Sequence, residues 1–175
     1  MSLSLYTASI PVFEQMLQAL SGVLDKAAAH CAAKKIDPAV LVATRLIPDM
    51  FPLTRQVQTA CDFAKNGTAR FAGVEAPKFE DNETTIDALK ARIAKTLDYI
   101  GTLDRGAIEA AAGRTIEFPI GPNKMKMQAE NYLLHLVLPN FFFHTTTAYA
   151  ILRQAGVDLG KRDFIGMPLG ISPVA

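Results

Sequence analysis

The sequence predicts an all-α fold: an up-down-type four-helix bundle with a small β-hairpin before the last core helix. Four long segments repeat apolar residues at spacings of three and four, each long enough for a core helix. One stretch, Arg114 to Met127, changes to alternation around Gly121-Pro122-Asn123. With 175 residues the chain suits a single domain, 1–175, in which 156–175 is an irregular C-terminal tail.

The first helix is predicted from near the N-terminus to about Lys34. Tyr6, Ile10, Phe13, Leu17, Leu20, Leu24, Ala27 and Cys31 form its apolar stripe. Either Ser9 caps it with Pro11 in the first turn, or it starts at Ser4 and bends at Pro11. His30, beside Lys34 and Lys35, suits a surface position at the negative end of the helix dipole. Asp37-Pro38 is a strong start signal for a short helix to about Leu46. A second start follows, with Asp49 as N-cap and Pro52 inside the first turn. Leu53, Val57, Ala60, Cys61 and Ala64 continue that stripe to a stop at Gly67.

Periodicity fades from Thr68 to Asn82, where Gly73, Pro77 and an acidic cluster mark a surface connection. The third core helix is predicted from Thr84, with Ile86, Leu89, Ile93, Leu97 and Ile100 buried. In the hairpin, Pro119 places its strand at an edge. The last core helix runs from about Gln128 to Gln154, before Gly156. Beyond it the chain has too many Gly and Pro for a regular element, though Phe164, Ile165 and Met167 can anchor it to the body or to a second subunit.

Half of the residues are hydrophobic and the net charge is +1 with no basic block. That supports a sizeable core and argues against nucleic acid or an anionic membrane as partner. No stretch reaches the ~18 apolar residues of a membrane span, and the N-terminus lacks the pattern of a signal peptide. Cys31 and Cys61 each lie on an apolar helix side, as buried free thiols of a cytoplasmic protein would.

The stretch Asn131 to Arg153 carries the candidate chemistry. His135 and His144 are nine positions apart, about 2.5 turns, so they lie on opposite faces. Asn140 and His144 share a face, which Thr147 and Ile151 continue. Pro139 has no N–H for the carbonyl of His135, so a bend is expected there, either a kink that packing accommodates, as is common at Pro, or one that opens a pocket in the bundle. Phe141, Phe142 and Phe143 point around the helix into core and interface. Asp49 could add a carboxylate to His144 and Asn140. There is no Glu-x-x-His pair, HExxH, P-loop, GxGxxG or GxSxG.

Five motifs carry a resemblance. They are RLIPDMFPL (Arg45 to Leu53), QVQTACDFAK (Gln56 to Lys65), PKFEDNETT (Pro77 to Thr85), LPNFFFHTTTAYAILR (Leu138 to Arg153) and LGKRDFIG (Leu159 to Gly166). Together they resemble the DUF1993 family, bacterial proteins of unknown function, over nearly the whole chain. That family is similar in fold to the DinB/YfiT-like superfamily of four-helix bundles. The resemblance implies a divalent metal, zinc or nickel, held by three histidines, two of them spaced HxxxH on the last core helix. Some members of the superfamily are transferases that use low-molecular-weight thiols. Here His144 matches the second histidine of the pair, and Asn140 stands where the first should be. The histidine of the second core helix has no counterpart between Asp49 and Lys65, where Asp49, Gln56 and Asp62 are the polar residues that would stand nearest to it. With two of the three histidines absent, the expectation leans to no metal.

Two functions are compatible with these residues. The chain would be a pocket-bearing relative of a metal-dependent enzyme, thiol-transferase-like, with His144 central and Asn140, Asp49 and Gln56 around it. Alternatively it would bind a small-molecule ligand, or assemble as a homodimer, without catalysis.

Overall fold

Proline and glycine set the element boundaries. The structure, a computed structural model, describes residues 3–174. Its elements are α1 (Ile10–Lys34), α2 (Pro38–Ala43), α3 (Leu53–Ala72), α4 (Ile86–Gly101), α5 (Arg105–Glu109), β1 (Thr115–Ile120), β2 (Asn123–Gln128), α6 (Ala129–Tyr132), a π-helical turn (Leu133–Val137), α7 (Leu138–Gln154) and α8 (Lys161–Ile165). The bundle consists of α1, α3, α4 and the continuous helix formed by α6, the π turn and α7. The antiparallel hairpin β1–β2 precedes that last helix and pairs Ile120 with Asn123 across the turn.

The helix directions follow from side-chain pairs. Phe13 meets Phe141 and Tyr149 meets Phe164 beside Leu20, so α1 and α7 run the same way. Gln56 meets His144 while Phe71 meets Tyr132, so α3 runs against α7. Asp25 pairs with Lys90, and Arg105 lies over Tyr6, so α4 runs against α1. The winding is therefore up, down, down, up, with α3 and α4 parallel.

Parallel neighbours need a long return, and segment 73–85 supplies it. Gly73 turns the chain at φ 72°. The segment is then pinned along both helices. Lys65 Nζ donates to the Pro77 carbonyl at 2.9 Å, and Arg92 donates to the Glu80 carbonyl at 3.2 Å. The Arg92 side chain, 1% exposed, pairs with Asp62 at 3.0 Å, Asp81 at 3.1 Å and Glu83 at 3.0 Å. Arg55 also pairs with Asp81.

Several expected boundaries move. The helix expected from Asp49 starts at Leu53, and Asp49 lies exposed in the preceding turn without capping it. Pro52 forces Phe51 out of helical conformation, and Pro52 itself is extended at ψ 165°, so no helix forms before Leu53. Leu53 N–H closes this turn on the Thr44 carbonyl at 2.9 Å. Gly67 does not stop α3, which continues to Ala72. α2 ends at Ala43 rather than Leu46, because Thr44 becomes extended. The cap of α4 is Thr85, whose Oγ1 accepts from Ala88 N–H at 3.1 Å, one residue later than expected. Ser9 precedes α1, but its hydroxyl donates back to the Leu5 carbonyl at 2.5 Å instead of capping.

The tail is not irregular throughout. The Gly160 N–H donates to the Asp163 carboxylate at 2.8 Å, which starts α8. Phe164 packs on Tyr149, Gln15 donates to the Ile165 carbonyl at 3.0 Å, and Lys26 pairs with Asp163 at 2.7 Å. Both cysteines are buried free thiols, and burial pushes Cys61 up to about 12. No helix among the described residues is long and apolar enough to cross a membrane.

Gly67 is where α3 and the last helix come closest. A Cβ there would stand 2.9 Å from Val137 Cγ1, and a β-branched side chain has no rotamer freedom to yield. Gly67→Ala is therefore expected to destabilise by about 1–3 kcal/mol despite the higher helix propensity of Ala. Val137→Ala in the same chain should recover most of the loss in a urea-unfolding double-mutant cycle.

Candidate functional site

His144 is delivered by α7 onto α3. Phe141, one turn earlier, is fully buried against Phe13, and this anchors the helix face. Pro139 cannot donate a backbone hydrogen bond, and the helix before it widens into the π turn Leu133–Val137. Next to the break, Asn140 Nδ2 donates to the Leu136 carbonyl at 2.8 Å. Asn140 thus serves its own helix and not the site.

His144 is 7% exposed, whereas His135 on the opposite face is exposed. Its Nδ1 lies 2.7 Å from Gln56 Oε1, and Gln56 Nε2 donates to the Phe51 carbonyl at 3.2 Å. The second bond orients the amide, so an oxygen faces the imidazole and Nδ1 must carry the proton. Nε2 is left as a lone-pair acceptor with no partner among the described residues.

Aromatic rings surround the imidazole. Phe51 and Phe63 lie nearly parallel to it, with centroids at 6.5 and 6.0 Å, and Phe143 meets it edge-on at 5.1 Å. Burial among these rings, and then the positive charge of Arg55, lower the His144 pKa to about 4. The imidazole is therefore neutral near pH 7.

Of the four residues expected to converge, the structure brings together two, Gln56 and His144. Asp49 stays in its exposed turn. Asp62 is committed elsewhere, to Arg92 at 3.0 Å and Lys65 at 3.2 Å. Thr147 donates to the Phe143 carbonyl of its own helix at 2.7 Å. Phe51 and Phe63 were not anticipated. Phe63 is seven residues beyond Gln56, hence on the same helix face, and that spacing is a signal for it. Phe51 comes close only because the turn before α3 folds back.

A divalent metal does not fit these residues. No group of three or more His, Cys, Asp or Glu among them is placed to hold one, while zinc sites take three or four such ligands. Gln56 occupies the α3 position facing His144 and is bonded to its Nδ1. The remaining lone pair, on Nε2, is one ligand.

The family described as Domain of unknown function (DUF1993) matches residues 5–165 of the chain. The fold is similar to the crystal structure of a DinB family member protein from Shewanella denitrificans. The two chains are 40% identical, 97% of this chain and 96% of that one are covered, and the TM-score is 0.89. No curated protein matches the chain.

The depressed His144 pKa fixes a pH dependence. The unfolded chain binds a proton near pH 6.5, and the folded one only near 4. Between these values the unfolded state holds more protons, so stability falls as pH drops through the window, by at most about 3 kcal/mol. His144→Leu removes this contribution. The difference in urea-unfolding free energy between wild type and variant is expected to shrink from about pH 7 to about pH 4; a constant difference would contradict a buried neutral imidazole.

Proposed function

The chain belongs to the DUF1993 family, and on that premise we propose that it is a small-molecule-binding helical bundle that acts without a resident divalent metal. One observation carries the proposal: the amide of Gln56 takes Nδ1 of His144, so the imidazole is held as a neutral hydrogen-bond acceptor. The ligand class follows from that chemistry. Nε2 accepts one N–H or O–H, and Phe51, Phe63 and Phe143 offer apolar faces beside it. A compact apolar molecule with one donor suits the site.

The low pKa also favours binding over proton abstraction. A general base works best with a pKa near the operating pH, whereas that of His144 is about 4. Metal-dependent thiol transfer, which the wider superfamily suggests, would need a ligand set that α3 and α7 do not supply.

A homodimer is favoured by a separate observation. Beside His144 the apolar side chains of Phe51 and Phe143 are 50% and 53% exposed. Such a patch is costly to leave in water and suits a symmetric contact with a second copy.

Metal content tests the first proposal. Purified without a His tag, the wild-type chain is expected to hold only traces of zinc, nickel, manganese or iron, and His144→Ala no less. Near-stoichiometric metal that disappears in His144→Ala would overturn it. Light scattering tests the dimer: wild type should give twice the monomer mass and Phe51→Ser/Phe143→Ser the monomer mass. A monomeric wild type at high concentration counts against this interface.

A further inference from the structure

Phe63 has a second side. Its ring stacks on His144, and it also lines a cavity of about 200 Å³ between α3, β1 and α6. Phe118 and Tyr132 form the other aromatic walls, their rings 4.7 Å apart. Asp62, Asn66 and Arg70, at one-turn intervals on α3, supply polar groups. None of these polar residues serves the His144 couple.

The donors in this cavity outnumber the free acceptors. Tyr132 is 2% exposed, and its oxygen accepts from Arg70 Nη1 at 2.8 Å. Its own O–H proton has no acceptor among the described residues. Burial raises the Tyr132 pKa although Arg70 opposes the rise, so that proton is retained near neutral pH. Arg70 uses Nη1 on Tyr132 and on the Asn66 carbonyl at 3.3 Å, and its other N–H groups are unassigned among the described residues. The carboxylate at the far end, Asp62, accepts from Arg92 and Lys65 on its Oδ1, and these two cations balance its charge. A ligand here must therefore bring acceptors, and a guanidinium favours acceptors that are charged and planar.

We infer that this cavity, roofed by the hairpin, is a second binding site for a single-ring aromatic carboxylate. Its carboxylate meets Arg70 and the Tyr132 hydroxyl, and its ring packs between Phe63 and Phe118. A volume near 200 Å³ accommodates one ring. The placement does not depend on what His144 binds, because the two sites share only the Phe63 ring.

Benzoate is the probe, titrated into the full chain by calorimetry or NMR, with benzylamine as its cationic counterpart. Benzoate is expected to bind saturably and to shift the Tyr132 and Phe118 signals, and benzylamine is not. Arg70→Met should weaken benzoate about ten- to hundredfold, as loss of a charged hydrogen-bonded partner does. Tyr132→Phe keeps the ring and should cost about three- to tenfold. His144→Leu should leave benzoate affinity unchanged. The inference is overturned by any of three results: no saturable binding up to about 10 mM, unchanged affinity in both Arg70→Met and Tyr132→Phe, or a loss in His144→Leu equal to that in Arg70→Met. Thermal unfolding of each variant identifies one that has lost its fold, and Tyr132→Phe then decides in place of Arg70→Met.

Discussion

The contact between α3 and the last helix is the constraint on which both sites depend. Gly67 lets Val137 approach until a methyl group could not be inserted between them. With the two antiparallel helices held this close, side chains further along must meet. Gln56 reaches His144 towards one end, and Arg70 and Phe71 reach Tyr132 towards the other. The π turn lies between these meetings, where Pro139 disturbs the hydrogen-bond ladder. Such a turn shifts the helix face by one residue relative to an unbroken helix, and so takes part in deciding which side chains after it point to α3.

The charged network on α4 does a different job. Arg92, Lys65 and Arg55 face Asp62, Asp81 and Glu83 around the return segment. The pairs among these three cations and three carboxylates fasten a strap that the parallel α3–α4 arrangement requires. Arg92 is 1% exposed and Glu83 10%, so removing one of these two leaves the other buried and short of a partner, which is strongly destabilising. Phe79 completes the fastening, with Lys65, Arg92 and Lys95 all close to its ring. Chemistry-bearing side chains are thus divided. Those on the α4 side hold the fold, and those facing the last helix form the Gln56–His144 couple and the Arg70–Tyr132 contact.

The bundle and the hairpin were legible because their signals are periodic and local. Apolar spacing marked the four core helices, and alternation around Gly121-Pro122 marked β1 and β2. The opposite placement of His135 and His144 also followed from helical geometry, with one exposed and the other buried. The misread points depend on competition between local signals. Asp49 has the right chemistry for an N-cap, but Pro52 forbids the helix it would cap. Asn140 shares a face with His144, yet the Leu136 carbonyl of its own helix claims its amide. Gly67 resembles a stop signal, and its purpose is a close approach visible only when α3 is set against the last helix. Nor could Gln56 be singled out from Asp49 and Asp62 before the fold had assigned each a partner.

The central claim is that His144 is a neutral imidazole bonded through Nδ1–H to Gln56, and its nitrogen spectrum tests this most directly. In long-range ¹H–¹⁵N correlation spectra near pH 7, His144 is expected as the Nδ1–H tautomer, unchanged by added zinc and converted to a mixture in Gln56→Leu. An Nε2–H tautomer, an imidazolium, or a zinc-dependent shift of Nδ1 in the wild-type chain would contradict it.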